Sequence, residues 1–260
     1  MLRWIQERRR RRLLLASFPA AWRRMLMESF PLFARLSAAD QRELEGHIQV
    51  FLAEKAFEGC GGLVLTDEMK VMIAAQACLL LLHRRTDYYP GLQSILVYPC
   101  SYSVETKHYS DHGVVTEGRA SRLGESWQQG AVVLAWDATL HGARSADGQN
   151  VVLHEFAHQL DQEDGRADGA PILTNSLLRG RADRYRAWTR VFRCEFERLR
   201  REVSANIRTV MDAYGATDPA EFFAVATECF FEKPDEMLKQ HPNLYAELRS
   251  FYQQDPAQWK

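Results

Sequence analysis

The sequence predicts an α+β domain, and three observations carry that prediction. Apolar runs of strand length fall in the middle of the chain, at 95–98 and 131–136. Segments with apolar residues at helical spacing lie on both sides of them. Strands and helices do not alternate in the regular way that a wound parallel sheet demands. The length of 260 residues is ample for a hydrophobic core, in one large domain or two small ones. With 46% hydrophobic and 26% charged residues the composition is ordinary, which excludes disordered and fibrous readings.

The formal charge of −1 removes any whole-molecule electrostatic argument for nucleic acid or an acidic membrane. The charge is uneven, however: residues 1–24 hold eight Arg and one Glu. The apolar stretch that follows Arg12 is too short for a secretory signal, and Arg23 and Arg24 stand where its cleavage region should be. A basic, solvated N-terminal arm is therefore expected over 1–34; the alternative is a basic amphipathic segment touching lipid or nucleic acid. Residues 35–260 are expected to form a single domain, with a helical part over about 35–90.

Ser37 is placed to start a helix with Leu44, Ile48, Phe51 and Leu52 at helical spacing. A second helix is expected from Thr66 and Asp67 to about Arg84, its early acids suiting the helix dipole. Within it, 71–82 is apolar except for Gln76, too short to span about 30 Å of hydrocarbon and read as a buried core helix. Tyr89, Pro90 and Gly91 form a turn, and a strand follows at 95–98 before Pro99. Strands are expected at 113–116 and 131–136. Helices are then expected at about 149–163, 182–203, 218–232 and 242–253. Trp188, Phe192, Phe196, Leu199 and Val203 share one face of the second, and Asp218 and Pro219 cap the third. The five cysteines are widely spaced and odd in number, which argues against a disulfide framework and for buried thiols in a reducing compartment. No transmembrane segment is expected, and the location expected is cytoplasmic.

Residues 154–158 read His154-Glu155-Phe156-Ala157-His158. On a helix the two imidazoles lie one turn apart on the same side, a spacing at which they can share a tetrahedral zinc ion. Glu155, adjacent to the first, is placed to act as general base on water at the metal. A third protein ligand is then required. The extended H-E-x-x-H-x-x-G-x-x-H pattern fails, because Asp161 stands where its Gly should be and Asp164 where its last His should be. Downstream carboxylates remain: Asp212, Glu221, Glu228 and Glu232. Spacing leaves Glu221 open between two readings, a ligand or the N3 partner of an Asp218 capping box. Glu228, two turns farther on, could orient a ligand imidazole.

Four segments resemble the MtfA family of bacterial glucose-regulated zinc metallopeptidases. They begin at His154 with H-E-F-A-H-Q-L-D, at Ala167 with A-D-G-A-P, at Tyr214 with Y-G-A-T-D-P-A-E-F-F-A-V, and at Phe251 with F-Y-Q-Q-D-P. The stretches 126–130 and 95–99 match as well, so the resemblance covers most of 35–256. H-E-F-x-H and E-F-F-A are also similar to the protease domain of anthrax lethal factor. The resemblance implies a zincin-like metallopeptidase domain: a small mixed sheet, an HExxH helix and a downstream glutamate-bearing helix. It implies one zinc ion held by His154, His158 and Glu221, with Glu155 as base and Tyr214 as an oxyanion-stabilising hydroxyl. It further implies aminopeptidase-like hydrolysis of peptide substrates, and a regulatory partner in an Mlc-like transcriptional repressor; direct contact to nucleic acid is not expected, on the charge balance. A binding protein that sequesters a transcription factor, with vestigial catalysis, is the alternative. Tyr214 read without the resemblance is equally a half-buried loop aromatic. The strand at 131–136 fits either a cleft edge that pairs with extended peptide or a plain core strand. Trp127 and Trp136 are expected in the core, and His108, His112 and His141 on the surface.

Overall fold

A computed structural model describes residues 2–100, 102–109, 115–122, 124–127, 130–173 and 181–260. The fold is mostly helical with a small mixed sheet, as the α+β prediction has it. Three helices open the chain: α1 (Leu2–Leu14), α2 (Ala20–Ser29) and α3 (Pro31–Ala34). The basic segment expected as a solvated arm is thus helical. Its outer face is exposed, but Arg10 turns inward and donates to both carboxylate oxygens of Glu54 at 2.8 Å, which docks α1 on α4 (Ala38–Glu54).

Ser37 caps α4, its hydroxyl accepting from the Asp40 amide at 3.1 Å. Thr66 does the same for α5 (Asp67–Leu79) through the Met69 amide. From Val71 to its end α5 is buried almost all round, as its continuous apolar sequence requires. It stops five residues short of the expected end, the chain then turning through residues 80–84 with His83 in the left-handed region at φ +62°.

The main sheet has the order β1 (Ala56–Gly59), β2 (Ser94–Tyr98), β6 (Ala131–Ala135), β5 (Gly124–Trp127). The first three are parallel, with Phe57 opposite Ile95 and Ile95 opposite Val132; β5 runs antiparallel at the edge. A separate hairpin pairs β3 (Tyr102–Tyr109) with β4 (Val115–Arg122). Of the strand expected at 113–116, residues 113 and 114 lie outside the described residues, as do the side chains of His108, His112 and Trp127. The apolar run at 131–136 crosses an element boundary, since Trp136 begins a helix, α6 (Trp136–Arg144). β6 is hydrogen-bonded on both sides, by β2 and β5, so it is a core strand and not a cleft edge.

The helices that complete the domain are α7 (Val151–Asp161), α8 (Arg181–Ser204), α9 (Pro219–Glu232), α10 (Pro234–Gln240) and α11 (Pro242–Tyr252). α7 and α9 pack side by side through one continuous core. Phe156 of α7 meets Tyr89 and Phe51 edge-on or tilted, with ring centroids 4.9 and 5.7 Å away. Phe222, Phe223, Phe230 and Phe231 do the equivalent for α9; fully burying each such side chain contributes about 1.5–3 kcal/mol. Trp188 and Phe192 of α8 stack at 3.9 Å and brace Phe223. Cys78 and Cys229 are buried, whereas Cys100 and Cys194 are exposed, so the buried-thiol expectation fails for those two. Among the described residues no helix is long and apolar enough to cross a membrane.

Candidate active site

The positions of α7 and α9 follow from their caps. Asn150 precedes α7, and its Oδ1 accepts from the Val152 and Leu153 amides at 3.1 and 3.0 Å. Its Nδ2 donates to Gln76 Oε1 and to the Gly142 carbonyl, each at 3.0 Å, which ties the helix start to α5 and α6. Asp218 caps α9, with Oδ1 accepting from the Ala220 and Glu221 amides. The capping box read from the sequence is not formed as such: Asp218 does the capping, and the Glu221 carboxylate reaches across to α7.

There it meets both imidazoles. Glu221 Oε2 lies 2.9 Å from His154 Nε2 and 3.4 Å from His158 Nε2, and the two Nε2 atoms are 3.2 Å apart. One ligand atom from each of His154, His158 and Glu221 fits within 4.8 Å of the others. Two imidazole nitrogens and a carboxylate oxygen are the donor set that suits zinc and leaves a coordination position open. The far side of His154 is also held: its Nδ1–H donates to Glu228 Oε1 at 2.7 Å, so Nε2 is the ring atom turned toward the cluster. Glu228 in turn accepts the Asn150 amide on its other oxygen.

Glu155 is buried beside this cluster, 5% exposed, and its Oε2 has no hydrogen-bond partner among the described residues. Burial pushes its carboxyl up to about 7, against the pull of His154 and His158 toward the charged form. Burial also works against charging Glu221, but its hydrogen bonds from His154 and His158 outweigh this and hold it well below the usual carboxylate range. For His154 burial opposes protonation, yet the bonds to Glu221 and Glu228 raise it well above the usual imidazole value. The Tyr214 hydroxyl donates to Glu221 Oε1 at 3.3 Å, and the residue is 55% exposed. It sits on a turn that Asp212 fixes by accepting the Tyr214 amide at 2.8 Å.

The other carboxylates are employed elsewhere. Asp212 accepts from Gln149 Nε2, Glu232 Oε2 accepts the Gly148 amide, and Asp164 accepts the Arg166 amide on an exposed turn. His141 is exposed and pairs with Asp147 at 2.8 Å, while Trp136 packs at the core margin. One contributor escaped sequence reasoning. Asp161 accepts the Gly169 amide at 2.9 Å, and the Gly169 carbonyl accepts from Trp188 Nε1 at 3.1 Å. Gly169 has φ +74°, and a Cβ on it would stand 2.3 Å from the Pro219 carbonyl oxygen. Asp161, Gly169 and Trp188 thus seat the start of α9 against the end of α7, which sets the height of Glu221. The signal was Asp161 itself, a buried acid at the end of an apolar helix.

The donor set on these two packed helices is one that can hold a metal ion. Residues 4–253 match the family model described as glucose-regulated metallo-peptidase M90. A protein of Synechocystis sp. (strain ATCC 27184 / PCC 6803 / Kazusa) is 43% identical over 250 residues, covering 95% of this chain and 89% of the relative. Mlc titration factor A of Klebsiella pneumoniae (strain 342) is 35% identical over 233 residues, covering 88% and 85%. The protein of that name from Cronobacter sakazakii is 32% identical over 241 residues, covering 92% and 87%. The chain belongs to the glucose-regulated metallo-peptidase M90 family.

Proposed function

We propose that the chain is a zincin-like, zinc-dependent peptidase whose single catalytic ion is held by His154, His158 and Glu221. The observation that carries this reading is the convergence of those three ligand atoms within 4.8 Å beside the buried Glu155, whose Oε2 has no hydrogen-bond partner among the described residues. When bound, zinc supplies Lewis acidity to the scissile carbonyl and makes a water acidic enough to attack it near neutral pH. Glu155 takes the proton from that water and passes it to the leaving amine, a role that suits a carboxyl poised near neutrality. The Tyr214 hydroxyl, exposed at the mouth of the site, turns from Glu221 to donate to the oxygen that gains charge. Glu228 keeps the His154 ring in its productive tautomer. The edge strand β5, which lies against α7, offers the backbone groups with which extended peptide pairs.

The proposed reaction is aminopeptidase-like, with short unblocked peptides as substrates. Glu155→Gln is the test: it should retain zinc and lose hydrolysis of such peptides, and wild-type hydrolysis by that variant would reject the mechanism. A matched panel of N-terminally blocked peptides separates aminopeptidase from endopeptidase action.

A second reading, binding of an Mlc-like transcriptional repressor, draws its support from the name Mlc titration factor A carried by several relatives. The two readings can coexist. Unchanged capture of purified repressor by Glu155→Gln would make catalysis dispensable for that role, and no capture by the wild-type chain would reject it.

A further inference from the structure

A second group of metal-ligating side chains gathers where the N-terminal helices meet the C-terminal segment. Asp40 and Glu43 lie one turn apart on α4, and His83 faces them from the turn after α5. His83 Nε2 is 2.7 Å from Asp40 Oδ1 and 3.8 Å from Glu43 Oε2, while its backbone amide donates to Glu43 Oε1 at 2.7 Å. One ligand atom from each of the three residues fits within 4.8 Å of the others, the same tolerance as the candidate active site. The His83 ring is oriented as ligand imidazoles are: Nδ1–H donates to the Gln253 backbone carbonyl at 2.9 Å, so Nε2 is the atom presented to the two carboxylates.

An independent observation comes from His47, one turn beyond Glu43. Its side chain is nine-tenths buried, and its Nδ1 is engaged by the Tyr88 hydroxyl at 2.8 Å. Its Nε2 points at the cluster, in a long 3.5 Å contact with Glu43 Oε1, and makes no well-formed hydrogen bond among the described residues. Buried ring nitrogens are normally well satisfied, so one held only by a long contact beside converging carboxylates marks a place for a further polar species.

We propose that Asp40, Glu43 and His83 form a second divalent-metal site, taking zinc or a similar transition-metal ion through one nitrogen and two carboxylate oxygens. Without the ion, His83 Nε2–H donates to Asp40; the ion takes that position and the proton leaves to solvent. The site joins the start of α4, the turn after α5 and, through His83, the segment at Gln253. Its effect is therefore to clamp the N-terminal helices to the C-terminal end of the domain.

The test is zinc content per chain after saturation and desalting, measured by elemental analysis on the full chain and on His83→Asn. Asn tolerates the left-handed backbone at this position, so the variant should fold, and its cooperative melting confirms that it has. Asp40→Asn serves as a second variant. The expected result is two zinc ions in the wild type and the loss of one in either variant, with zinc raising the melting temperature of the wild type more than that of His83→Asn. In a His154→Ala/His158→Ala background the site should still take one ion, lost on adding His83→Asn, which separates this site from the catalytic one. Equal zinc content in the wild type and His83→Asn would overturn the proposal and leave a protonated His83 ion-paired with Asp40 as the whole function of the cluster.

Discussion

Glu228→Gln isolates a residue that acts only through another. The Glu228 carboxylate accepts two hydrogen bonds, one from His154 Nδ1–H at 2.7 Å and one from the Asn150 amide. A carboxamide has a single acceptor oxygen. If that oxygen serves the Asn150 amide, the NH2 group faces His154 Nδ1, and the ring must move its proton to Nε2, where the metal should bind. If the oxygen serves His154, two donors confront each other at Asn150, at the start of the helix that carries both ligand imidazoles. Either arrangement weakens the centre without touching a ligand atom. Loss of such an orienting partner typically costs 10–100-fold in metal affinity, or about 1.4–2.8 kcal/mol. The assay is competition for zinc against a chromogenic chelator, with peptide hydrolysis measured in parallel at saturating zinc. Zinc affinity equal to the wild type, in a variant shown to be folded, would refute the orienting role and the tautomer assigned to His154.

Three further outcomes are expected. Tyr214→Phe should lower kcat by about 100-fold with zinc content and KM nearly unchanged, as removal of one oxyanion donor does elsewhere; an unchanged kcat would return Tyr214 to a passive turn residue. Gly169→Ala forces a Cβ against the Pro219 carbonyl in a left-handed conformation. It should lower stability by roughly 1–3 kcal/mol and the melting temperature by about 2–4 °C for each kcal/mol lost, and a melting curve like the wild type would show that the start of α9 has slack. Burial pushes the Glu232 carboxyl from an ordinary 4.5 up to about 8. The folded state therefore favours its acid form, and the stability it contributes is full below about pH 4.5 and lost as pH rises through about 8. Glu232→Gln should flatten that decline, gaining on the wild type by a few kcal/mol in order of magnitude between pH 5 and 8; chemical denaturation at the two pH values that showed no relative gain would reject this.

The parts of the site carried by one helical turn were legible in the sequence. His154, Glu155 and His158 are contiguous, and helix geometry alone puts both imidazoles on one side. Glu221 was not legible in that way. It lies in a separate helix whose first turn offered a complete local explanation through Asp218, and only the packing of α9 on α7 brings its carboxylate to the two imidazoles. Asp161 read as a departure from a longer zinc motif, whereas in the fold it fastens Gly169 and so positions α9. The long helices α8 and α9 were found within a residue or two, α8 from its apolar face and α9 from its Asp218 cap, and the start of α4 was marked by Ser37. Short elements were missed where tertiary pairing supplies the order. β1 and β5 have four residues each and pair only in the assembled sheet. α6 begins on Trp136, the last member of an apolar run that looked continuous with the strand before it. The arginine-rich start appeared free of partners because Glu54 and Asp87, which engage Arg10, are far along the chain.

The most direct test of the zinc centre is anomalous diffraction at the zinc absorption edge from crystals of the zinc-loaded chain. The expected result is a strong peak about 2.0–2.2 Å from His154 Nε2, His158 Nε2 and a Glu221 carboxylate oxygen. Density showing those three side chains paired only with one another under saturating zinc, with no peak between them, would contradict it.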